Sequence, residues 1–195
     1  MTRVVGIPIK PFGIAKARLA SVIDAGARSR VGKAIAARTA AAVAASGASP
    51  VIVTGDAGVA AWAREHGWAT VPEPAAGGLD GAAQAFCAAA GSQPWAILHA
   101  DLPVVGPADL AAAWRHDGPV IAPSRDGGTS LIAATGAFRF SYGPGSFHRH
   151  LARMGGAAVV VRLGLALDLD TPADLDRALR LEAGRWLREL IDPSP

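Results

Sequence analysis

The run Ala96-Ile97-Leu98-His99-Ala100-Asp101-Leu102-Pro103 decides how the chain is read. A short apolar stretch that stops at a carboxylate and then a proline reads as a buried strand whose carboxyl end opens a site. In open α/β sheets ligands lie beyond the carboxyl ends of the strands, so Asp101 is expected to face a ligand crevice and not the core. The stretch Leu167-Asp168-Leu169-Asp170-Thr171-Pro172 has the same form. On an extended chain residues two apart share a face, so Asp168 and Asp170 present oxygens in one direction while Leu169 packs the other way. Carboxylates converging from two strand ends suit a hard divalent cation.

Strands and helices alternate on either side of Asp101. Val4 to Ile9 reads as a first strand buried on both faces. Val31, Ile35, Ala42 and Val43 mark a helix from Ala27 to Ser46, with Gly47 placed for a left-handed cap. Val51 to Thr54 is a second strand, Asp56 caps a helix that ends at Gly67, and Trp68 to Val71 is a third strand. Leu79 to Ala90 is helical, Gly106-Pro107 opens a helix carrying Leu110 and Trp114, and Pro119 to Pro123 is a further strand. This β-α repeat predicts an α/β fold with a mostly parallel sheet and helices on both faces. Beyond Arg125-Asp126-Gly127-Gly128 the pattern loosens. Thr129 to Ala134 predicts an antiparallel addition, Tyr142 to Ser146 a glycine loop feeding a helix from Phe147 to Met154, and Val159 to Leu167 a last strand. Thr171 then caps a helix with Pro172 in its first turn and Asp174 at the capping-box position. The expected organisation is one domain over residues 1–184 and a helical tail over 185–195, before and through Pro193.

At 195 residues, 51% of them hydrophobic and 18% charged, the chain can bury a full core, which excludes a disordered class. The net charge is +3 and the basic residues are dispersed, so no nucleic-acid partner is expected and small anions fit better. Cys87, the single cysteine, sits in an Ala-rich helical pattern as a small apolar residue. Neither a leader nor an apolar run of membrane length is visible, so no membrane partner and a cytoplasmic location are expected.

Lys10, Lys16 and Arg18 follow the first strand in a segment punctuated by proline and glycine. They read either as a solvated basic loop or as a cradle for polyphosphate, although the P-loop and dinucleotide glycine patterns are absent. Gly143 to Ser146 is either an ordinary turn or a phosphate or carboxylate site, and Thr129, after two glycines, carries the same alternatives. His99, His148 and His150 lack a consistent set of zinc ligands, and His148 and His150 are too close together for one helical face.

Ile7-Pro8-Ile9-Lys10-Pro11 followed by Ala15-Lys16-Ala17-Arg18-Leu19 resembles the N-terminal signature of the phospholactate/phosphoenolpyruvate guanylyltransferases of coenzyme F420 biosynthesis. Also similar are His99-Ala100-Asp101-Leu102-Pro103, Arg125-Asp126-Gly127-Gly128-Thr129, Gly145-Ser146-Phe147-His148-Arg149-His150 and Leu167-Asp168-Leu169-Asp170-Thr171-Pro172, in the family's order. The resemblance implies a three-layer α/β/α fold like that of the molybdenum-cofactor guanylyltransferases and nucleotide-diphospho-sugar transferases. It implies that GTP and a phosphorylated acid meet over magnesium held by Asp101, Asp168 and Asp170. Lys16 and Arg18, with Lys10, would serve the nucleotide, and Asp101, Lys16 and Arg18 the chemistry. Thr129, Gly143 and Ser146 match positions that hold the acid. Two positions depart from the family pattern: Leu79-Asp80, at a nucleotide contact, stands where relatives usually have Leu-Asn, and Thr129-Ser130 where they commonly have Thr-Asn. Two other functions remain open: a guanylyltransferase for molybdopterin or a sugar phosphate, and a non-catalytic nucleotide-binding regulator. A homodimer is left open too.

Overall fold

The structure is a computed structural model and describes residues 2–14 and 16–191. β1 (Val4–Pro8) leads through 3-10 turns at Phe12–Ile14 and Ala17–Leu19 into the long helix α1 (Ala25–Ala45). Asp24 starts α1 earlier than the apolar spacing suggests, because its carboxylate accepts the Ala27 N–H at 2.9 Å and satisfies a donor that the first turn leaves free. Gly47 ends it at φ +83°, where the Ala48 N–H reaches back to the Val43 carbonyl and the Gly47 N–H to that of Ala44. There follow β2 (Ser49–Thr54), α2 (Ala57–Glu65), β3 (Ala69–Pro72), α3 (Gly78–Ala90) and β4 (Trp95–Leu98). The second half contains α4 (Pro107–Trp114), β5 (Val120–Pro123), β6 (Thr129–Ala134), α5 (Ser146–Leu151) and β7 (Ala158–Val159). It closes with α6 (Leu163–Ala166), α7 (Pro172–Arg180), a 3-10 stretch at Glu182–Leu187 and α8 (Arg188–Ile191).

The strands form one sheet in the order β3-β2-β1-β4-β6-β5-β7. Only β6 runs against the rest, pairing antiparallel with β4 and β5, which is the mixed sheet expected from the sequence. Alternation along the strands divides the core between two faces. Ala96 and Leu98 of β4 pack in one cluster with Ala36, Ala40 and Val43 of α1 and with Leu110 of α4, while Trp95 and Ile97 pack with Ala82, Ala83 and Phe86 of α3. The result is three layers, helix on sheet on helix. Phe86 lies so close to β1 that a methyl group on Gly6 would stand 2.6 Å from its ring. A third apolar cluster joins Leu19, Val31 and Ile35 to Leu167, Leu169, Leu175 and Leu187. Through Leu187, therefore, the tail packs on α1 as far as the description runs, and residues 192–195, Pro193 among them, lie outside the described residues.

One expected element is different. The strand predicted over 159–167 pairs with β5 only at Ala158–Val159, and the chain then leaves the sheet and turns into α6. Two ties pull it away. Arg162 pairs with Asp109 of α4 at 3.2 Å, and Gly164 is pressed against the Asp109 carboxylate so closely that no side chain would fit. The stretch Leu167 to Asp170 is consequently not a strand, yet it keeps the expected alternation. Leu167 and Leu169 are buried, and the Leu169 N–H donates to the Asp101 carbonyl at 2.9 Å, which sets the two acidic stretches side by side.

Candidate active site

The carboxyl ends of β1 and β4 and the start of β6 open into a single cavity of about 710 Å³. Because β6 is reversed, its first residue, Thr129, arrives at the end of the sheet where β4 finishes. Lys10, Lys16, Arg18, Asp101, Thr129, Gly143, Ser146, Asp168 and Asp170 all line this space.

Lys16 organises the acidic side. Its backbone is left-handed at φ +59°, alone among the described residues other than glycine, a conformation that costs an L-residue roughly 1–2 kcal/mol. Its ammonium bridges Asp101 Oδ2 at 3.0 Å and Asp170 Oδ1 at 3.3 Å. The Lys16 side chain is 9% exposed, against 26% for Asp101 and 44% for Asp170. Burial alone would lower the ammonium's pKa, but the two carboxylates outweigh it and raise the value. Burial pushes Asp101 the other way, and the Lys16 charge again prevails, holding its carboxyl below the ordinary range. Asp168 has no such partner. Burial, and then the charge of Asp101, push its carboxyl up to about 6.

The opposite wall is a polar loop. Asp126 accepts the Ser124 hydroxyl at 2.5 Å and the Gly128 N–H at 2.8 Å, fixing the turn that delivers Thr129. Arg149 donates to the carbonyls of Ser141, Tyr142 and Pro144 and so wraps the glycine loop around its guanidinium. Thr129 Oγ1 lies 3.2 Å from Ser146 Oγ and 3.0 Å from His150 Nδ1. Asp80 is not among the cavity's walls, because its Oδ1 accepts the Tyr142 N–H at 2.7 Å and holds the loop against α3. Sequence reasoning missed Asp126, Tyr142 and Arg149, and it weighed His99 and His150 only as zinc ligands. The Asp-Gly-Gly turn was a local signal for Asp126, and Arg149, His99 and His150 stood inside the family-like blocks without a role being read for them. His99 lines the cavity beside Asp101, with its Nε2 buried and unpartnered, and burial lowers its pKa.

Among the described residues no group of three or more His, Cys, Asp and Glu side chains makes a ready metal cage. The oxygens present nevertheless fit a hard divalent ion that takes only a few protein ligands. Asp101 Oδ1 is buried without a partner, and the Lys16 ammonium already occupies the place of a cation between two carboxylates.

A cation-bridged acid pair facing a hydroxyl-lined loop at the switch of an α/β sheet is an arrangement for handling anions. The sequence profile described as "Guanylyl transferase CofC like" matches residues 2–189. The chain belongs to that family. As a CofC-like guanylyl transferase it is 36% identical to the phosphoenolpyruvate guanylyltransferase of Nocardia farcinica, over 95% of this chain and 88% of that one. It is 34% identical to the 3-phospho-D-glycerate guanylyltransferase of Phenylobacterium zucineum, over 91% and 89%. A solved structure from Desulfovibrio desulfuricans G20, assigned to the nucleotide-diphospho-sugar transferases, superposes with a TM-score of 0.77 over 98% of this chain and 97% of its own. At 17% identity it shows the shared fold of this guanylyl transferase.

Proposed function

We propose that this guanylyl transferase moves GMP from GTP to a phosphorylated three-carbon acid, with phosphoenolpyruvate as the preferred acceptor, in the route to coenzyme F420. The observation that carries this reading is the meeting, in one cavity, of the Lys16–Asp101–Asp170 cluster with the Thr129–Ser146 hydroxyl pair. The names of the relatives support it and divide over the acid, as phosphoenolpyruvate or 3-phosphoglycerate.

In the reaction a phosphate oxygen of the acid attacks the α-phosphorus of GTP. The bond to the bridging oxygen breaks, pyrophosphate leaves with that electron pair, and a phosphoanhydride joins acid and GMP. A phosphomonoester is already largely dianionic at neutral pH, so no protein base is needed and the protein's task is to hold mutually repelling anions in line. Lys16 supplies buried positive charge, while the exposed Lys10 and Arg18 meet the triphosphate at the rim. Thr129, Gly143 and Ser146 receive the acid. Magnesium, if bound by Asp101, Asp168 and Asp170, would supply Lewis-acid charge for the phosphates. Asp80 acts on the acid side by anchoring Tyr142. A homodimer would draw on the exposed Val159, Val161 and Leu163 beside the edge strand β7. A cytoplasmic site of action is part of the same proposal. Among the described residues no helix is long and apolar enough to cross a membrane.

The test is competition. Equimolar phosphoenolpyruvate, 2-phospholactate and 3-phosphoglycerate are offered with limiting GTP and magnesium, and the products are resolved by mass. Most of the guanylyl groups are expected on phosphoenolpyruvate. A majority on another acid would reverse the preference, and no pyrophosphate release with any acid would defeat the reaction itself.

A further inference from the structure

The hydroxyls of Thr129 and Ser146 are not free to point as they please. Behind them lies His150, wholly buried, and the direction of its bond to Thr129 follows from one backbone amide. The Ser141 N–H stands 2.8 Å from His150 Nε2, and an amide N–H can only donate. Nε2 is therefore the acceptor nitrogen, and the neutral ring carries its proton on Nδ1. Nδ1 faces Thr129 Oγ1 at 3.0 Å, so the ring donates to the threonine.

The protons can then be counted. The Nδ1–H, the Thr129 O–H and the Ser146 O–H are three donors for two contacts, His150 to Thr129 and Thr129 to Ser146. Whichever hydroxyl donates in the second contact, the other keeps a proton with no acceptor behind it, and both residues line the cavity. With the opposite tautomer Thr129 would have to donate inward to Nδ1 and Ser146 to Thr129, and both contacts would be made with no proton left over.

We propose that His150 is a positioning residue, held in its Nδ1–H tautomer by the Ser141 amide so that the Thr129–Ser146 pair presents a hydroxyl proton to an anionic oxygen of the phosphorylated acid. This rests on the assignment of the acid to Thr129, Gly143 and Ser146. Burial keeps the ring uncharged, its pKa being pushed down to about 4, so the Ser141 amide does not meet a second N–H. Phe138, Phe140 and Tyr142 pack around the imidazole and leave it little room to flip.

Two measurements test this. Imidazole nitrogen NMR of the wild-type protein is expected to report a neutral Nδ1–H ring for His150, and an Nε2–H ring overturns the proposal without any mutation. Steady-state kinetics with phosphoenolpyruvate varied are then run on Thr129→Val, His150→Phe, His150→Asn and the double variant Thr129→Val/His150→Phe. Each of the first two is expected to raise KM for the acid several-fold, up to about tenfold, because a hydroxyl proton remains but is no longer directed at the anion, with KM for GTP within about twofold. The double variant should be no worse than Thr129→Val alone, and His150→Asn, which can return an N–H near the Nδ1 position, should recover part of the loss. Additive effects, or an equal rise in KM for GTP, would mean that His150 merely supports the loop. If Thr129→Val weakens acid binding and His150→Phe does not, this inference alone fails. If Thr129→Val leaves acid binding unchanged, the acid assignment fails and takes the inference with it. Should His150→Phe not fold, His150→Asn and the NMR measurement still decide.

Discussion

Lys16 combines a strained backbone, a buried ammonium and two carboxylate partners, so its removal is expected to act in two ways. Breaking a buried pair leaves Asp101 uncompensated, which costs about 3–5 kcal/mol where both charges are fully enclosed and less here, because Asp101 and Asp170 still touch the cavity. Lys16→Met should therefore lower the melting temperature and raise KM for GTP together, whereas Arg18→Ala, at an exposed rim position, should raise KM for GTP with melting unchanged. Equal melting temperatures for the two variants would show that the Lys16 cluster does not contribute to the fold. His150 makes a second residue-level prediction, in pH. Its pKa falls from 6.5 to about 4 on folding, so the unfolded chain takes up a proton that the folded one refuses. Its contribution is complete above pH 6.5 and is lost as the pH falls towards 4. Asp168 works oppositely, since its raised carboxyl value means a contribution that is lost as the pH rises through about 6. Comparing His150→Asn with wild type cancels Asp168. Urea titrations from pH 7.5 to 4.5 should show the variant losing less stability on acidification than wild type, and parallel profiles would contradict the assignment.

At the scale of elements, the contact between β1 and α3 depends on the missing side chain at Gly6. Gly6→Ala would drive a methyl group into the Phe86 ring and is expected to cost about 1–3 kcal/mol, most of it regained with Phe86→Leu in the same chain. Chemical denaturation of the single and double variants checks this, and a Gly6→Ala protein as stable as wild type would show that the helix can shift at little cost. The elements themselves were largely legible in the sequence, because β-branched runs, the Asp56 and Thr171 caps and terminal glycines are local signals, whereas the Asp24 cap that starts α1 was not read. The strand expected over 159–167 was not, since the residue that turns the chain aside, Asp109, lies far away in sequence and acts through Arg162 and Gly164. The same limit governs the site. The alternation of Asp168 and Asp170 and the position of Asp101 after β4 could be read along the chain, and these residues do share a cavity. That Asp80 holds the Tyr142 amide, and that Arg149 gathers loop carbonyls, are long-range facts with no periodicity to announce them.

For the molecule as a whole, the sheet order places the two halves of the chain on opposite sides of β4. Lys10, Lys16 and Arg18 come from the β1 side, Thr129 and Ser146 from β6 and the loop beyond it, and Asp101 stands between them. On the proposed reading, two anionic substrates approaching from different halves would meet over that acid. The ammonium of Lys16 adds a consequence in mass action. It is a cation tethered beside its own carboxylates, so it cannot be diluted away. A metal ion arriving alone competes with a group whose effective concentration is on the order of millimolar or higher, as for other short tethers. An ion arriving with a triphosphate offers the displaced ammonium a new anionic partner. Calorimetry is expected to find magnesium binding weakly to the protein alone and at least about tenfold more tightly with a non-hydrolysable GTP analogue, with Lys16→Met narrowing the gap. Equal magnesium affinity in both states would mean that the tethered cation is no competitor. If it is one, the protein carries its own inhibitor of premature metal loading, built from a single side chain, and the nucleotide lifts that inhibition on arrival.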